Sequence, residues 1–479
     1  MFNSLASLYQ PKYIATLVYM LQTSNYRGAD YLKWYWRTSD FDKVMSRRAL
    51  ERTRAARGLL VIISLAMIMQ ILVGFLILFL GDFGHLSGGV YFGAAIIIAY
   101  PVVIAQAIVV PLFLSRKLII EPSERRAVAA AAKIFAQSKA IKIAIAGSYG
   151  KTSMKELLQT ILGEGKYVAA TSGNKNVAIS HARFAFALSG REDIILIEYG
   201  EGAPSDVAKF AQNTHPDYGI ITGLAPAHLE RYKTLQAAGE DIFSLAKYLK
   251  NKHVYVNSES EFAKDFIKKE FETYSQAGAL DWKISDVKLG IDGTDFTLKK
   301  PKKSLKLHSQ LIGRHQLGAL SLAVALAHEF GLSDEAIVAG VAKTKPFEHR
   351  MQPYELNGAT IIDDTYNGNI EGIRAGTELL KDLPAKTKIY ITPGLVDQGP
   401  ETEAVHRQMG ELIAAAGPDQ VILMQNSVTN YIKLGLESKN FEGELKIEQN
   451  PLDFYLNLKH IVAAGDLVML QNDWPDNYA

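Results

Sequence analysis

Two long uncharged apolar runs mark the front of the chain. Residues 59–80, LLVIISLAMIMQILVGFLILFL, carry only Ser64 and Gln70 as polar side chains, and residues 89–114 contain no charge. Each exceeds the roughly 20 residues that cross a hydrocarbon core. The pattern therefore predicts transmembrane helices over 59–80 and 89–114, the second kinked at Pro101 and Pro111. Arg47, Arg48, Arg52, Arg54 and Arg57 precede the first run, and Arg116, Lys117, Arg125 and Arg126 follow the second. The intervening GDFGHLSG has no Lys or Arg. The positive-inside rule then places both ends in the cytoplasm. The first run begins too far from Met1 to be a cleaved signal peptide. Upstream, YIATLVYMLQTSNYRGADYLKWYWRTSDFDKVMSRR reads either as an interfacial helix with a Trp34/Tyr35/Trp36 belt or as a short cytosolic helical cap.

From about residue 139 the periodicity changes. Ile141 to Ala146 is an alternating Ile/Ala run, the pattern of a strand buried in a parallel sheet, and Met154 to Leu162 has helical spacing. Everything beyond reads as α/β. The stretch DWKISDVKLGIDGTDFTLKKPKKSLKLHSQLIG alternates between turns as an antiparallel add-on would, with Lys299, Lys300, Lys302 and Lys303 in a solvated turn. Three regions are expected: a helical one over 1–138, a central α/β domain over 139–345, and a smaller Rossmann-like α/β domain over 346–479.

Composition adds exclusions. The 479 residues are 48% hydrophobic and 21% charged with net charge +2, which gives no case for a nucleic-acid partner. There is no cysteine, so disulfides and thiolate metal sites are ruled out.

The candidate chemistry starts at Gly147-Ser148-Tyr149-Gly150-Lys151-Thr152-Ser153, between the Ile/Ala strand and the amphipathic helix. Strand, glycine turn and helix aim backbone N–H groups and a positive helix end at an anion. Lys151 can reach outer phosphates, and the Thr152 hydroxyl can hold Mg²⁺. The full phosphate-loop pattern wants a glycine where Ile145 stands, so this is a shortened G-x-x-G-K-[ST] form. An ordinary glycine turn is the plain alternative.

Several ordered segments resemble the Mur ligases, which build the peptide of the bacterial cell wall. They are AGSYGKTSMKELLQTIL, TSGNKN (171–176), the strand ending in Glu198-Tyr199-Gly200, HPDYGIITGLAPAHLERY, IGRHQLGALSLAVALAHEFGL, FEHRMQPYELNGATIIDDTYNGNIEGI and ETEAVHRQMG. The resemblance covers roughly 139–420. Its Asp-Asp-x-Tyr-Asn and His-Leu-Glu strings are most like the branch that adds D-alanyl-D-alanine to UDP-MurNAc-tripeptide.

The resemblance implies an ATP-dependent peptide ligase. A muropeptide carboxylate would attack the γ-phosphate, and a D-Ala-D-Ala-like amine would displace phosphate from the acyl phosphate. It further implies two Mg²⁺ ions, with Thr152 and Glu198 on the first and His228 near the second. Lys151 and Arg350 would be the phosphate cations and Asn174 a substrate contact. Asp364 or Asn367, in the turn that follows ATIID, would touch nucleotide. His406 is left open between a site and a structural role.

Four departures qualify this. The family's carbamate-forming lysine is expected near Ile242, within TLQAAGEDIFSLAKYL, with Glu240 or Asp241 as candidates to replace its charge. Gln316 and Ala319 stand where the family offers asparagines to adenine. The chain ends at LQNDWPDNYA rather than in a Lys-Gly-Ser-Arg-like turn, and the membrane hairpin stands where the family has a UDP-binding domain. The expectation is thus a multi-pass protein of the inner membrane with cytoplasmic catalytic domains. A γ-glutamyl-type ligase and a catalytically silent nucleotide-binding scaffold are the alternatives.

Overall fold

The structure is a computed structural model that describes residues 7–472, apart from 25, 39, 42–43, 45–48, 83–87, 174, 227–228, 367 and 397. It divides into two compact units, Met1–Arg125 and Arg126–Tyr478.

The first unit is helical. Tyr13–Thr23 and Gly28–Arg37 enclose a small core with Tyr13, Leu17, Met20, Tyr31, Tyr35 and Ile104 buried, while Trp36 is exposed. The Trp-Tyr-Trp string is thereby split, its tyrosine turned inward. Arg54–Asp82 is one unbroken 29-residue helix containing the first apolar run. Its length of about 44 Å, at 1.5 Å per residue, exceeds a hydrocarbon core.

The second apolar run is not one helix. It is a helical path interrupted twice, into Gly89–Ile98, Tyr100–Ala107 and Val109–Ser115. Pro101 and Pro111 explain both breaks. Each lacks the N–H that would bond the carbonyl four residues earlier, and its ring crowds that carbonyl. Two stretches pass the length and hydropathy criteria for a span, Arg54–Gly81 and Tyr100–Gln137. Gly89–Ile98 packs on the long helix where glycines meet: a Cβ on Gly93 would lie 2.6 Å from the Gly74 carbonyl oxygen.

The second unit holds two sheets. The first has ten strands: β1 (Ile141–Ala146), β2 (Val168–Ala170), β3 (Ile194–Glu198), β4 (Tyr218–Ile221), β5 (Val254–Asn257), β6 (Glu272–Ser275), β7 (Gly278–Ala279), β8 (Trp282–Gly290), β9 (Gly293–Lys300) and β10 (Lys303–Ser309). Their order is β10-β9-β8-β7-β6-β5-β4-β1-β3-β2, parallel from β2 through β6 and antiparallel from β6 through β10. The Ile/Ala run is central, as an all-buried strand must be. Ile143 and Ile145 face a layer with Leu157, Leu158 and Leu320, whereas Ala144 and Ala146 face Ile195, Ile197 and Phe210.

The lysine-rich segment beyond β8 forms antiparallel strands, as its pattern predicts, but its lysines are not a merely solvated turn. Lys299 pairs with Asp286 at 3.0 Å, Lys303 pairs with Asp334 at 2.6 Å, and the Lys300 ammonium lies 4.7 Å from the Trp282 ring centroid.

The other sheet has six strands: β11 (Gln352–Leu356), β12 (Ala359–Asp364), β13 (Thr387–Thr392), β14 (Gln420–Met424), β15 (Glu444–Glu448) and β16 (Asp466–Gln471), in the order β11-β12-β16-β13-β14-β15. Only the β11–β12 pairing is antiparallel. Register sets Ile145 beside Glu198 and Ala146 beside Ile221 in the first sheet, and Asp364 beside Gln471 in the second. The loops that follow therefore leave each sheet at its carboxyl edge, where open α/β sheets bind ligands.

Candidate active site

The turn after β1 is built around two glycines. Gly147 has φ +141°, and a Cβ there would lie 2.3 Å from the Thr222 hydroxyl oxygen; Gly150 has φ +72° and starts the helix Lys151–Leu162. The Ser148 amide donates to the Gly223 carbonyl at 2.9 Å, which ties the turn to the end of β4.

Within the second unit, a cavity of about 370 Å³ opens between this turn and the six-stranded sheet. Tyr149, Gly150 and Ser153 line one side; Arg350, Asp364, Tyr366, Glu371 and Arg374 line the other. The Arg350 guanidinium lies 4.5 Å from the Tyr366 ring centroid, a cation–π arrangement. Asp364 accepts from the Met351 amide at 3.2 Å and from Gln471 Nε2 at 2.8 Å. Burial raises its pKa to about 7, opposed by the Gln471 and Met351 hydrogen bonds and the nearby Arg350 charge. His315 lines the cavity too and is pushed down to about 4 by burial, so it is neutral at pH 7. Tyr149 is raised, chiefly by burial.

Lys151 and Thr152 are turned the other way. Lys151 Nζ donates to the Gly147 carbonyl at 2.5 Å and to Glu201 Oε2 at 2.6 Å. The Thr152 hydroxyl donates to Glu198 Oε1 at 3.0 Å. Glu198 also accepts from Asn176 Nδ2 at 3.3 Å and from Lys155 Nζ at 3.1 Å. Lys155 is fully buried and donates further to the Gly173 carbonyl at 2.6 Å. His181, at about pKa 4 through burial, donates from Nε2 to the Glu198 carbonyl at 2.9 Å.

Of the residues expected from sequence, Tyr149, Gly150, Ser153, Arg350 and Asp364 thus share one cavity. Lys151, Thr152 and Glu198 sit beside it in a buried ionic network. His228, Asn174 and Asn367 lie outside the described residues. Asp363 is absorbed by its own turn, accepting from the Thr365 amide and hydroxyl and pairing with His349 at 2.7 Å. His406 is structural: fully buried, it donates from Nδ1 to the Thr402 carbonyl and accepts from the Leu395 amide. Asp241 is buried against the Tyr232 hydroxyl at 2.7 Å, and Glu240 accepts from Gln236 at the surface.

Lys155 and Glu201 were missed. Lys155 had a readable signal, because it lies four residues after Lys151 on a helix and next to buried Met154. Glu201 had only its nearness to Glu198.

A Mur ligase middle domain matches residues 145–327, and a Mur ligase glutamate ligase domain matches 349–471. The chain belongs to the Mur ligase family. The UDP-N-acetylmuramoyl-tripeptide–D-alanyl-D-alanine ligase of Escherichia coli is 30% identical over 303 residues, covering 61% of this chain and 66% of that one. The Bacillus subtilis enzyme of the same name is 25% identical, covering 69% and 72%. This Mur ligase chain therefore spans about two thirds of the length of the first of these relatives. Crystal structures of MurF from Acinetobacter baumannii and, with ADP, from Thermotoga maritima share its fold. Each has a TM-score of 0.64, at 21% and 20% identity, covering 73% of this chain and 77% and 80% of theirs.

Thr152 and Glu198 form an all-oxygen donor pair of the kind that holds Mg²⁺ together with substrate phosphates and water. Among the described residues no group of three or more His, Asp or Glu could hold a metal alone. The pair fits an ion that arrives with its nucleotide.

Proposed function

We propose that this Mur ligase is an ATP-dependent amide ligase of peptidoglycan-precursor synthesis, joining D-Ala-D-Ala or a similar amine to a muropeptide carboxylate. One observation carries the reading: the β1 phosphate turn and Arg350, from different sheets, line the same cavity. The names of the relatives supply the substrate class.

Backbone N–H groups of 149–152 and Lys151 cradle the outer phosphates. Arg350 reaches the γ-phosphate from the opposite wall as the two sheets close, stabilising charge that builds as the carboxylate attacks. Mg²⁺, held by Thr152 and Glu198, supplies further neutralisation of the phosphates when bound. The amine then displaces phosphate from the acyl phosphate.

The same reading holds the protein to the inner membrane. The Arg54–Asp82 helix exposes Leu65, Met69, Leu72, Phe75, Leu76 and Phe79, an apolar surface that suits lipid. The positively charged flanks put the two sheets in the cytoplasm. An anchor would concentrate the enzyme beside lipid-linked acceptors without new contacts.

The test is phosphate release by detergent-purified protein, offered soluble and lipid-linked muropeptides with several amines. Release that depends on both ATP and D-Ala-D-Ala is expected. Release driven by glutamate instead would favour the γ-glutamyl reading, and none with any pair would favour the scaffold.

A further inference from the structure

Lys151, the cation expected to meet the outer phosphates, is already engaged. Its Nζ lies 2.6 Å from Glu201 Oε2, and the two side chains are only 11% and 6% exposed. The next lysine on the helix, Lys155, is likewise held by Glu198 at 3.1 Å, with side chains 0% and 2% exposed. Two lysines and two glutamates are thus interleaved beside the Thr152 hydroxyl and nearly cut off from water. A charge in such a place cannot be left alone: separating a buried pair strands an unsolvated ion, far costlier than breaking a surface pair.

We propose that Glu201 is a latch on the phosphate-binding lysine, a positioning residue that keeps Lys151 from the nucleotide until a divalent cation replaces the lysine's charge. The proposal rests on the nucleotide reading above and deepens it. The argument is one of competition. Glu201 and a phosphate both need the same ammonium, and Lys151 cannot swing from one to the other without leaving a buried carboxylate facing an incoming polyanion. A divalent cation carried by the phosphates removes that conflict, because Glu198 and Glu201 leave the same end of β3 three residues apart. Nucleotide affinity should therefore depend on metal more steeply than phosphate neutralisation alone requires, with Glu201 the source of the excess.

The experiment measures binding of a non-hydrolysable ATP analogue to detergent-solubilised full-length protein by calorimetry, once in EDTA and once with Mg²⁺. Glu201→Gln keeps the size of the side chain and removes its charge. It should raise the metal-free affinity about tenfold or more and shrink the enhancement by Mg²⁺ by the same factor. Glu201→Asp, which draws the carboxylate back by one methylene, should shift both in the same direction by less, and it serves if the Gln variant fails to fold. In a Lys151→Met background the Glu201→Gln effect should shrink to what relief of the bare carboxylate's repulsion of the phosphates supplies. Unchanged metal-free affinity in Glu201→Gln and Glu201→Asp, or an equal effect with and without Lys151, would overturn the latch while leaving the nucleotide site intact. No binding by the wild type in either medium would overturn the nucleotide reading itself, and the latch with it.

Discussion

Removing the Lys155 ammonium tests the buried network most directly. Lys155→Met keeps the length and apolar stem of the side chain but deletes its bonds to Glu198 Oε2 and the Gly173 carbonyl. Glu198 keeps Thr152 and Asn176, both on its other oxygen, so Oε2 is left buried without its cation. Breaking one side of a buried pair costs about 3–5 kcal/mol, mostly from the stranded partner. With a urea dependence of roughly 2 kcal/mol per molar, a loss of about 3 kcal/mol lowers the unfolding midpoint by about 1.5 M. The assay is hydrogen exchange in urea on peptides covering β1 and β3, which isolates the ten-stranded sheet from the rest of the chain. Lys155→Met/Glu198→Gln should recover most of the loss, because the stranded charge is gone. A single variant within about 1 kcal/mol of wild type, or a double variant that simply adds the two losses, would refute the claim that this pair is buried and coupled.

Three further outcomes follow from the same geometry. Asp364 keeps its proton up to about pH 7 in the folded chain but loses it near 3.8 when unfolded. Stability therefore falls as pH rises through that window and levels off above it; Asp364→Asn should flatten this slope in thermal melts from pH 4 to 9, and parallel curves would contradict it. Arg350→Ala should lower the phosphate-release rate about 10²–10³-fold while ADP binding stays within about threefold, since the guanidinium acts on charge developing at the γ-phosphate. Matched losses of rate and ADP affinity would place it elsewhere. His406→Leu strands the buried Leu395 amide and the Thr402 carbonyl, so it should cost about 1–3 kcal/mol in denaturation with the rate per folded molecule unchanged.

What the sequence revealed and what it hid divide along a physical line. The strand–turn–helix at 141–162 was legible because it depends on local signals: all-buried alternation, glycines where φ must be positive, and a helical apolar stripe. Glu198 was legible as the end of an apolar strand. The pairs Lys151–Glu201 and Lys155–Glu198 join residues 50 and 43 positions apart, brought together by the pairing of β1 with β3, and no local pattern announces them. The second apolar run was legible in its kinks at Pro101 and Pro111, though not in how far they break the helix. Its composition suits a single span, but Pro101 and Pro111 each delete a helical hydrogen bond, and two deletions ten residues apart divide the path into three. His406 could not be assigned from sequence because a buried hydrogen-bonded histidine and a ligand histidine look alike in a string; only its two backbone partners decide.

The charge balance of the site says why a nucleotide would need both sheets. Lys151 and Lys155 are neutralised by Glu201 and Glu198, so the cluster beside the phosphate turn carries no spare positive charge. Moving Lys151 onto a phosphate relocates a charge without adding one, since the carboxylate it leaves is exposed to the same polyanion. The extra positive charge must come from outside the cluster. One source is the metal that arrives with the nucleotide. The other is the opposite wall of the cavity, where Arg350 stacks on Tyr366. On the proposed function, phosphate transfer would thereby be tied to approach of the six-stranded sheet, because Lys151 alone would not offset the charge that builds on the γ-phosphate. On this account a ten-stranded sheet with its phosphate turn intact could hold nucleotide weakly in the presence of metal, yet would be unable to activate a carboxylate.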